Sequence, residues 1–172
     1  MLSSPGCWAA YGEVLARGFS DYRLTRLHRL TVDAYPAQHP GVNVPAARRS
    51  VGLHLSRLYL LLECGWSMER ANNATLAITE FKDRCNWLEP LTMIGTLSVR
   101  EVLQVASNQE HENRVRAWAA SVRKAWAVHH DTSAEVVCRF VKRDLLSQAN
   151  ESVNVVAVFR QDHVIMPLFT KR

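Results

Sequence analysis

Four histidines occupy positions from which their side chains could bind a metal ion. His28, His54 and His129 lie on the apolar stripes of three different predicted helices, and His39 follows the first of these helices. The apolar stripe of a helix in a bundle faces the core, so these imidazoles are expected to point inward. Neutral imidazole is a preferred ligand of zinc and similar divalent ions. The pattern therefore predicts a metal site formed by His28, His39, His54 and His129.

Carboxylates beside such a site would orient the imidazole rings or act as a base. Asp33, Glu13 and Glu63 are the candidates, because each lies on or next to a helix that carries one of the histidines or packs beside it. If the site is catalytic, metal-assisted hydrolysis is the simplest reaction class, since a bound ion lowers the pKa of water towards neutrality. Zinc or another divalent metal is the cofactor that this interpretation implies.

The same histidines have a second interpretation, in which they are hydrogen-bonded core residues. A single histidine on an apolar helix face is more often packed than metal-bound, and the sequence contains neither HExxH nor HxxxH. The protein would then be a non-enzymatic interaction or oligomerisation module with structural histidines. The sequence also lacks GxGxxG, GxxxxGK[ST] and GxSxG, so it does not favour a dinucleotide-binding, P-loop or α/β-hydrolase protein.

Hydrophobic spacing of the helical type recurs along most of the chain. It predicts a mainly α protein, a bundle of about five to seven helices. The predicted helices have the approximate bounds 6–17, 21–36, 45–63, 68–82, 99–107, 110–130 and 133–145. Gly18 is expected to close the first helix, and Pro36 to end or kink the second, because proline lacks an amide donor and clashes with the preceding turn. Capping boxes are predicted at Ser98–Glu101 and Thr132–Glu135.

The C-terminal part of the chain has a different pattern. The segments VNVVAVF and VIMPLF flank a polar stretch at residues 160–163, which predicts a small β-hairpin. A lone hairpin is marginally stable in water, so it is expected to dock on the helices or on a second copy, which would give a homo-oligomer. Residues 1–131 are interpreted as a helical domain, and residues 132–172 as a helix and hairpin packed on that domain.

Composition and charge favour a single globular domain without a nucleic-acid partner. The chain has 172 residues, of which 48% are hydrophobic and 22% charged, and its formal net charge is +5. Arg23, Arg26 and Arg29 recur every third residue, which is typical of a solvated helix face, so nucleic-acid binding is not favoured. The densest apolar run, Leu58–Leu62, is too short to span a bilayer, and no signal peptide is recognised. We therefore expect a cytoplasmic protein without membrane contact.

Cysteines give no sign of a disulfide framework or a zinc finger. No two of them form a CxxC pair, and isolated cysteines on apolar stretches are usually small buried side chains. The four cysteines are Cys7, Cys64, Cys85 and Cys138.

Four blocks of the sequence resemble a family of bacterial proteins classified as a domain of unknown function. The blocks are SPGCWAAYGEVLAR (4–17), HRLTVDAYPAQHPG (28–41), VGLHLSRLYLLLECG (51–65) and VRAWAASVRKAWAVHH (115–130). The resemblance covers about residues 4–130, and it implies a short cysteine-rich CPxCG-like segment upstream of SPGCW, after which this chain starts. It implies no activity. It directs attention to His28, Asp33, Gln38, His39, His54, Trp118, Trp126 and His129.

Overall fold

The computed structural model describes residues 3–80, 95–131 and 133–138, and these are mainly α-helical without any strand. The α-helices are α1 Pro5–Ser20, α2 His28–Gln38, α3 Pro45–Leu62, α4 Met68–Glu80, α5 Val99–Leu103 and α6 Asn108–Ala125. Two 3-10 helices span Tyr22–Leu27 and Ala127–His129, and residues 130–131 and 133–138 are also helical. The mainly α prediction is confirmed. The predicted hairpin and Thr132 of the second capping box lie outside the described residues.

Several helices begin where the sequence predicts. Pro45 is the first residue of α3, where its missing amide hydrogen costs nothing. Ser98 and Glu101 form the predicted capping box of α5, since Glu101 accepts from the Ser98 amide at 2.9 Å and Ser98 accepts backbone hydrogen bonds in return. Asp21 caps the first 3-10 helix through the Arg23 amide at 2.9 Å.

Several predicted helix ends differ from the observed ones: α5 ends at Leu103 instead of about residue 107, and α6 at Ala125 instead of about residue 130. The first helix passes through Gly18 and ends at Ser20, and α2 passes through Pro36 and ends at Gln38. Pro36 lies in the last turn of α2, so the helix loses one backbone hydrogen bond there, and Ala37 and Gln38 remain buried against other elements. Tertiary packing therefore outweighs the local preference of proline.

The main core forms around α2, which packs against α1, α3 and α6. Ala34 and Ala37 of α2 and Ala119 of α6 are fully buried, so these small side chains let the helices approach closely. A second, smaller cluster joins α3 and α4 to the helical residues after 132. Its buried members are Leu60, Ala71, Ala74, Ile78, Val136 and Val137.

Two buried tryptophans fix the position of α6 against α2, as core packing of these residues predicts. The Trp118 indole donates to the side-chain oxygen of Gln38 at 2.9 Å, and Gln38 donates to the carbonyl of Leu97 at 2.7 Å. The Trp126 indole donates to the carbonyl of Ala37 at 3.1 Å. The polar atoms of these large side chains are therefore satisfied inside the core.

None of the helices within the described residues combines the length and apolar composition that crossing a bilayer requires.

Candidate functional site

A buried group that we call the Asp33 cluster consists of Asp33, His54, Arg57 and Asn72. The Asp33 carboxylate is completely buried and accepts a hydrogen bond from Nδ1 of His54 at 2.8 Å. Arg57 donates to both oxygens of Asp33, each at 2.8 Å, and to the amide oxygen of Asn72 at 3.3 Å. The cluster therefore links α2, α3 and α4.

Helix geometry explains why these groups meet. His54 and Arg57 are three residues apart on α3, so their side chains lie on the same side of that helix. A carboxylate inside a protein needs a charged partner and further hydrogen bonds, and Arg57 supplies both through its two parallel N–H groups. Asp33 therefore lies on the side of α2 that faces α3.

The contact with Asp33 fixes the protonation pattern of the His54 ring. An ionised carboxylate only accepts hydrogen bonds, so Nδ1 of His54 must carry a hydrogen. Nε2 has no hydrogen-bond partner among the described residues, and the His54 side chain is 18% exposed. The lone pair of Nε2 is therefore open to a proton, a substrate or a metal ion.

The Asp33 charge affects the pKa values of two further titratable groups, Tyr11 and His28. Burial raises the pKa of the Tyr11 hydroxyl, and the charge of Asp33 adds to that effect. Burial lowers the pKa of His28, with Arg29 acting in the same direction and Asp33 opposing it. Both groups are therefore kept neutral near pH 7. The His28 ring also packs beside Phe19, with the two ring centroids 5.0 Å apart.

The other two predicted histidine ligands lie in different surroundings. The His39 ring packs 4.7 Å from the Tyr35 ring, and both of its nitrogens are buried without a partner among the described residues. Burial lowers the pKa of His39, which keeps it neutral. His129 lies in a 3-10 turn, 5.7 Å from the Trp126 ring.

Of the three predicted carboxylates, only Asp33 contacts one of the histidines. Glu13 is exposed on α1, and Glu63 instead accepts a hydrogen bond from Arg123 at 2.7 Å. No three His, Cys, Asp or Glu side chains within residues 3–80, 95–131 and 133–138 form a group that could hold a metal ion. Metal binding by His28, His39, His54 and His129 therefore stays a prediction.

Sequence reasoning missed Arg57 and Asn72, although both complete the Asp33 cluster. The sequence offers one weak indication of Arg57: it follows His54 by three residues, a spacing that places both side chains on the same side of a helix. It offers none of Asn72, since an asparagine in a polar helix segment is usually solvent-facing. Their role follows only from how α3 and α4 pack.

Of Arg23, Arg26 and Arg29, which predict a solvated helix face, Arg23 and Arg26 are exposed and paired with carboxylates, whereas Arg29 is half-buried. The side chains of Arg23 and Arg26 are 65% and 62% exposed, and they form ion pairs with Asp21 and Glu112 respectively. Each pair lowers the positive potential that a nucleic acid would meet at this surface.

The chain belongs to the family of unknown function DUF5946, whose family model matches residues 1–127. No curated protein and no solved structure matches the chain significantly. The match covers α1 to α6 and all members of the Asp33 cluster.

Proposed function

We propose that the protein is an enzyme in which His54 acts as a general base in a hydrolytic reaction. The observation that carries this proposal is the 2.8 Å contact between Asp33 and Nδ1 of His54, with Nε2 left open. A buried carboxylate behind an imidazole holds its ring in one orientation and one tautomer, and it stabilises the imidazolium that forms when a proton is taken up. Asp33 is therefore a positioning residue, and His54 is the group that would contact the substrate.

The neighbours of Asp33 support this assignment. Arg57 balances the charge of the fully buried Asp33 carboxylate through two hydrogen bonds. The neutral Tyr11 hydroxyl and the neutral His28 ring add two polar groups near the same carboxylate. A positioned general base typically accelerates proton transfer about 10²- to 10⁴-fold.

Hydrolysis of a panel of p-nitrophenyl esters and p-nitrophenyl phosphates would test the role of His54. We expect His54→Gln to lower the rate by about 10²- to 10⁴-fold relative to the parent chain. His130→Gln is the matched control, since His130 is not one of the predicted metal ligands and its ring bonds to the Arg123 carbonyl instead of a carboxylate, and it should retain the parent rate. Equal rates in the parent and His54→Gln would contradict the proposal.

A measurement without any substrate would test the same geometry. Long-range ¹H–¹⁵N NMR correlations at pH 8 should show the Nδ1–H tautomer for His54, assigned by its absence in His54→Gln. Asp33→Asn should weaken that preference, because an amide side chain can donate as well as accept. An Nε2–H tautomer in the parent chain would argue against Nε2 as a base.

A more specific form of this proposal is metal-assisted hydrolysis, in which His54 binds a divalent ion. It places zinc or another divalent ion on Nε2 of His54, and the observation that favours it is the Asp33 carboxylate, because metal-binding imidazoles usually donate their other N–H to such a group. Metal analysis after zinc loading of untagged protein should find one ion per chain, lost in His28→Ala and His54→Ala. A metal content near zero in the parent would contradict this version.

An interaction module is the second candidate function. It is favoured by exposed aromatic side chains at the start and end of α1 and just beyond it: Trp8 is 62% exposed, Phe19 65% and Tyr22 84%. In this proposal a second copy of the chain covers apolar surface, with the predicted C-terminal hairpin contributing. The mass in solution, measured before and after removal of residues 132–172, should fall from an oligomer to a monomer. Monomers in both cases would leave self-association without support.

A further inference from the structure

Arg123 is a buried arginine that lies apart from the Asp33 cluster. It belongs to the last turn of α6, and its side chain is only 3% exposed. Its Nε donates to Glu63 at the end of α3, over 2.7 Å. Neither Nη1 nor Nη2 has a hydrogen-bond partner among the described residues, and both atoms are buried.

This arrangement leaves strong donors without acceptors. A guanidinium carries five N–H donors, and the bond to Glu63 uses the single donor on Nε. More than nine tenths of buried polar groups in folded proteins have a partner, because an unpaired buried donor carries its full desolvation cost. The four N–H groups on Nη1 and Nη2 therefore require acceptors that this part of the chain does not supply.

We propose that Nη1 and Nη2 of Arg123 form a binding site for an oxyanion, either a carboxylate or a phosphate group. The two terminal nitrogens of a guanidinium form a fork that matches the spacing of two oxygens on such a group. Glu63 bonds only to Nε of the guanidinium, so neither buried terminal nitrogen is used by this contact. The half-exposed side chain of Glu63 marks the solvent side of the site.

The surroundings of Arg123 suit an anionic ligand. The guanidinium carbon lies 5.4 Å from the ring centroid of Tyr59, whose hydroxyl pKa is raised by burial to about 12, so this neighbour stays uncharged. His130 donates its Nε2 hydrogen to the Arg123 carbonyl at 2.7 Å. Glu63 is the only carboxylate that pairs with Arg123 among the described residues, and its negative charge competes with an incoming anion.

Thermal unfolding of the full chain tests this site with inorganic phosphate and with acetate as probes, each against sodium chloride at equal ionic strength. We expect a saturable rise in Tm with at least one of the two probes, because a ligand that binds only the folded state stabilises it. Comparing the two probes distinguishes a phosphate site from a carboxylate site.

Variants at Glu63 and Arg123 test whether the rise in Tm comes from an anion bound at Arg123. Glu63→Gln removes the competing negative charge and should tighten binding by at least about threefold. Arg123→Lys removes the two-nitrogen fork and should abolish the saturable response. Glu112→Gln is the matched control, because Glu112 pairs with exposed Arg116 on the same helix, and it should respond as the parent chain does.

Two results would overturn the proposal. The first is the absence of a saturable rise in Tm with both probes in the parent and in Glu63→Gln, which shows that the acceptors for Arg123 are not exchangeable anions. The second is equal tightening in Glu63→Gln and Glu112→Gln, which shows a general effect of net charge. Because Glu63→Gln keeps the arginine, the test holds even if Arg123→Lys fails to fold.

Discussion

Asp33 joins α2 to α3 through a buried ion pair with Arg57. Its replacement in Asp33→Ala would leave the largely buried Arg57 guanidinium without its charge partner. We expect a loss of about 3–5 kcal/mol in the free energy of unfolding, the range for breaking a buried ion pair. Urea denaturation measures this loss.

The control for this prediction is Glu112→Ala, which breaks pairs with the exposed residues Arg26 and Arg116. Exposed pairs contribute little, so we expect a loss of less than about 1 kcal/mol there. Similar losses in Asp33→Ala and Glu112→Ala would show that the Asp33 cluster is not the buried ion pair described here.

His111 makes the stability of the fold depend on pH. It is 1% exposed in α6, and burial, followed by the positive charge of Arg17, lowers its pKa below 6.5. The unfolded chain then takes up a proton more readily than the folded chain. Above pH 6.5 the His111 ring is neutral in both states, and its full contribution to the free energy of unfolding is present. As the pH falls through 6.5 towards the lowered pKa of the folded state, the unfolded chain binds the proton first and this contribution is lost.

Replacing the titrating group tests this. Urea denaturation of His111→Gln between pH 7.5 and 5 should give a shallower decline than the parent chain. His28 and His39, whose pKa values are also lowered by burial, contribute to the remaining slope. An unchanged slope in His111→Gln would show that this ring does not titrate on unfolding.

At the residue scale, the sequence predicts half of the Asp33 cluster. His54 stands out because an imidazole lies on an apolar helix face, and Asp33 because it is a carboxylate beside the predicted histidine site; their contact is found. Arg57 and Arg123 do not stand out, because a long basic side chain can reach solvent from almost any helix position. Only the packing of neighbouring helices shows that both are buried.

At the scale of single elements, a capping box at Ser107 starts α6 at Asn108, two residues before the predicted start at about Glu110. Ser107 accepts a hydrogen bond from the Glu110 amide, and Glu110 accepts one from the Ser107 amide, both at 3.2 Å. Removing the cap in Ser107→Ala should cost about 1 kcal/mol of stability, measured by urea denaturation. Ser107→Thr, which keeps the hydroxyl, should stay close to the parent. A loss in Ser107→Thr equal to that in Ser107→Ala would point to packing instead of capping.

Helix existence was easier to predict than helix ends. The periodic apolar positions of α3 and α6 identify both helices, but α6 begins at Asn108 instead of about Glu110, and it ends at Ala125 before a 3-10 turn. Local signals such as Pro36 also mislead when buried contacts continue the helix past them. Boundaries depend on tertiary packing, which one sequence does not display.

Val136 and Val137 connect the end of the described chain to the second core cluster. They are 9% and 5% exposed and pack with Leu60 and Ile78. A chain that ends at residue 138 should therefore be about 3 kcal/mol more stable than one that ends at residue 131, since each buried valine contributes about 1.5 kcal/mol or more.

Both truncated chains should remain helical by circular dichroism, because all buried residues of the main core lie between positions 10 and 126. Thermal unfolding measures the difference between the two. Equal Tm values would show that the second cluster does not depend on residues 132–138.

At the scale of the molecule, composition and periodicity predict a mainly α protein, and the structure confirms it. The division of the core into two clusters was not predicted. Leu60 is fully buried in the second cluster, whereas the partly buried Leu61 packs against both clusters, and no sequence pattern makes this assignment. Such assignments follow from which helices pair, and that is decided by contacts between residues far apart in the chain.

The central position of α2 has a consequence for how the protein opens. Seven of its eleven residues are buried, and α1, α3 and α6 pack around it. No local fluctuation can bring its backbone amides to water without separating these neighbours. Hydrogen exchange should therefore be slowest in the interior of α2, at a rate set by complete unfolding, whereas the amides of the short helix α5 should exchange through smaller openings.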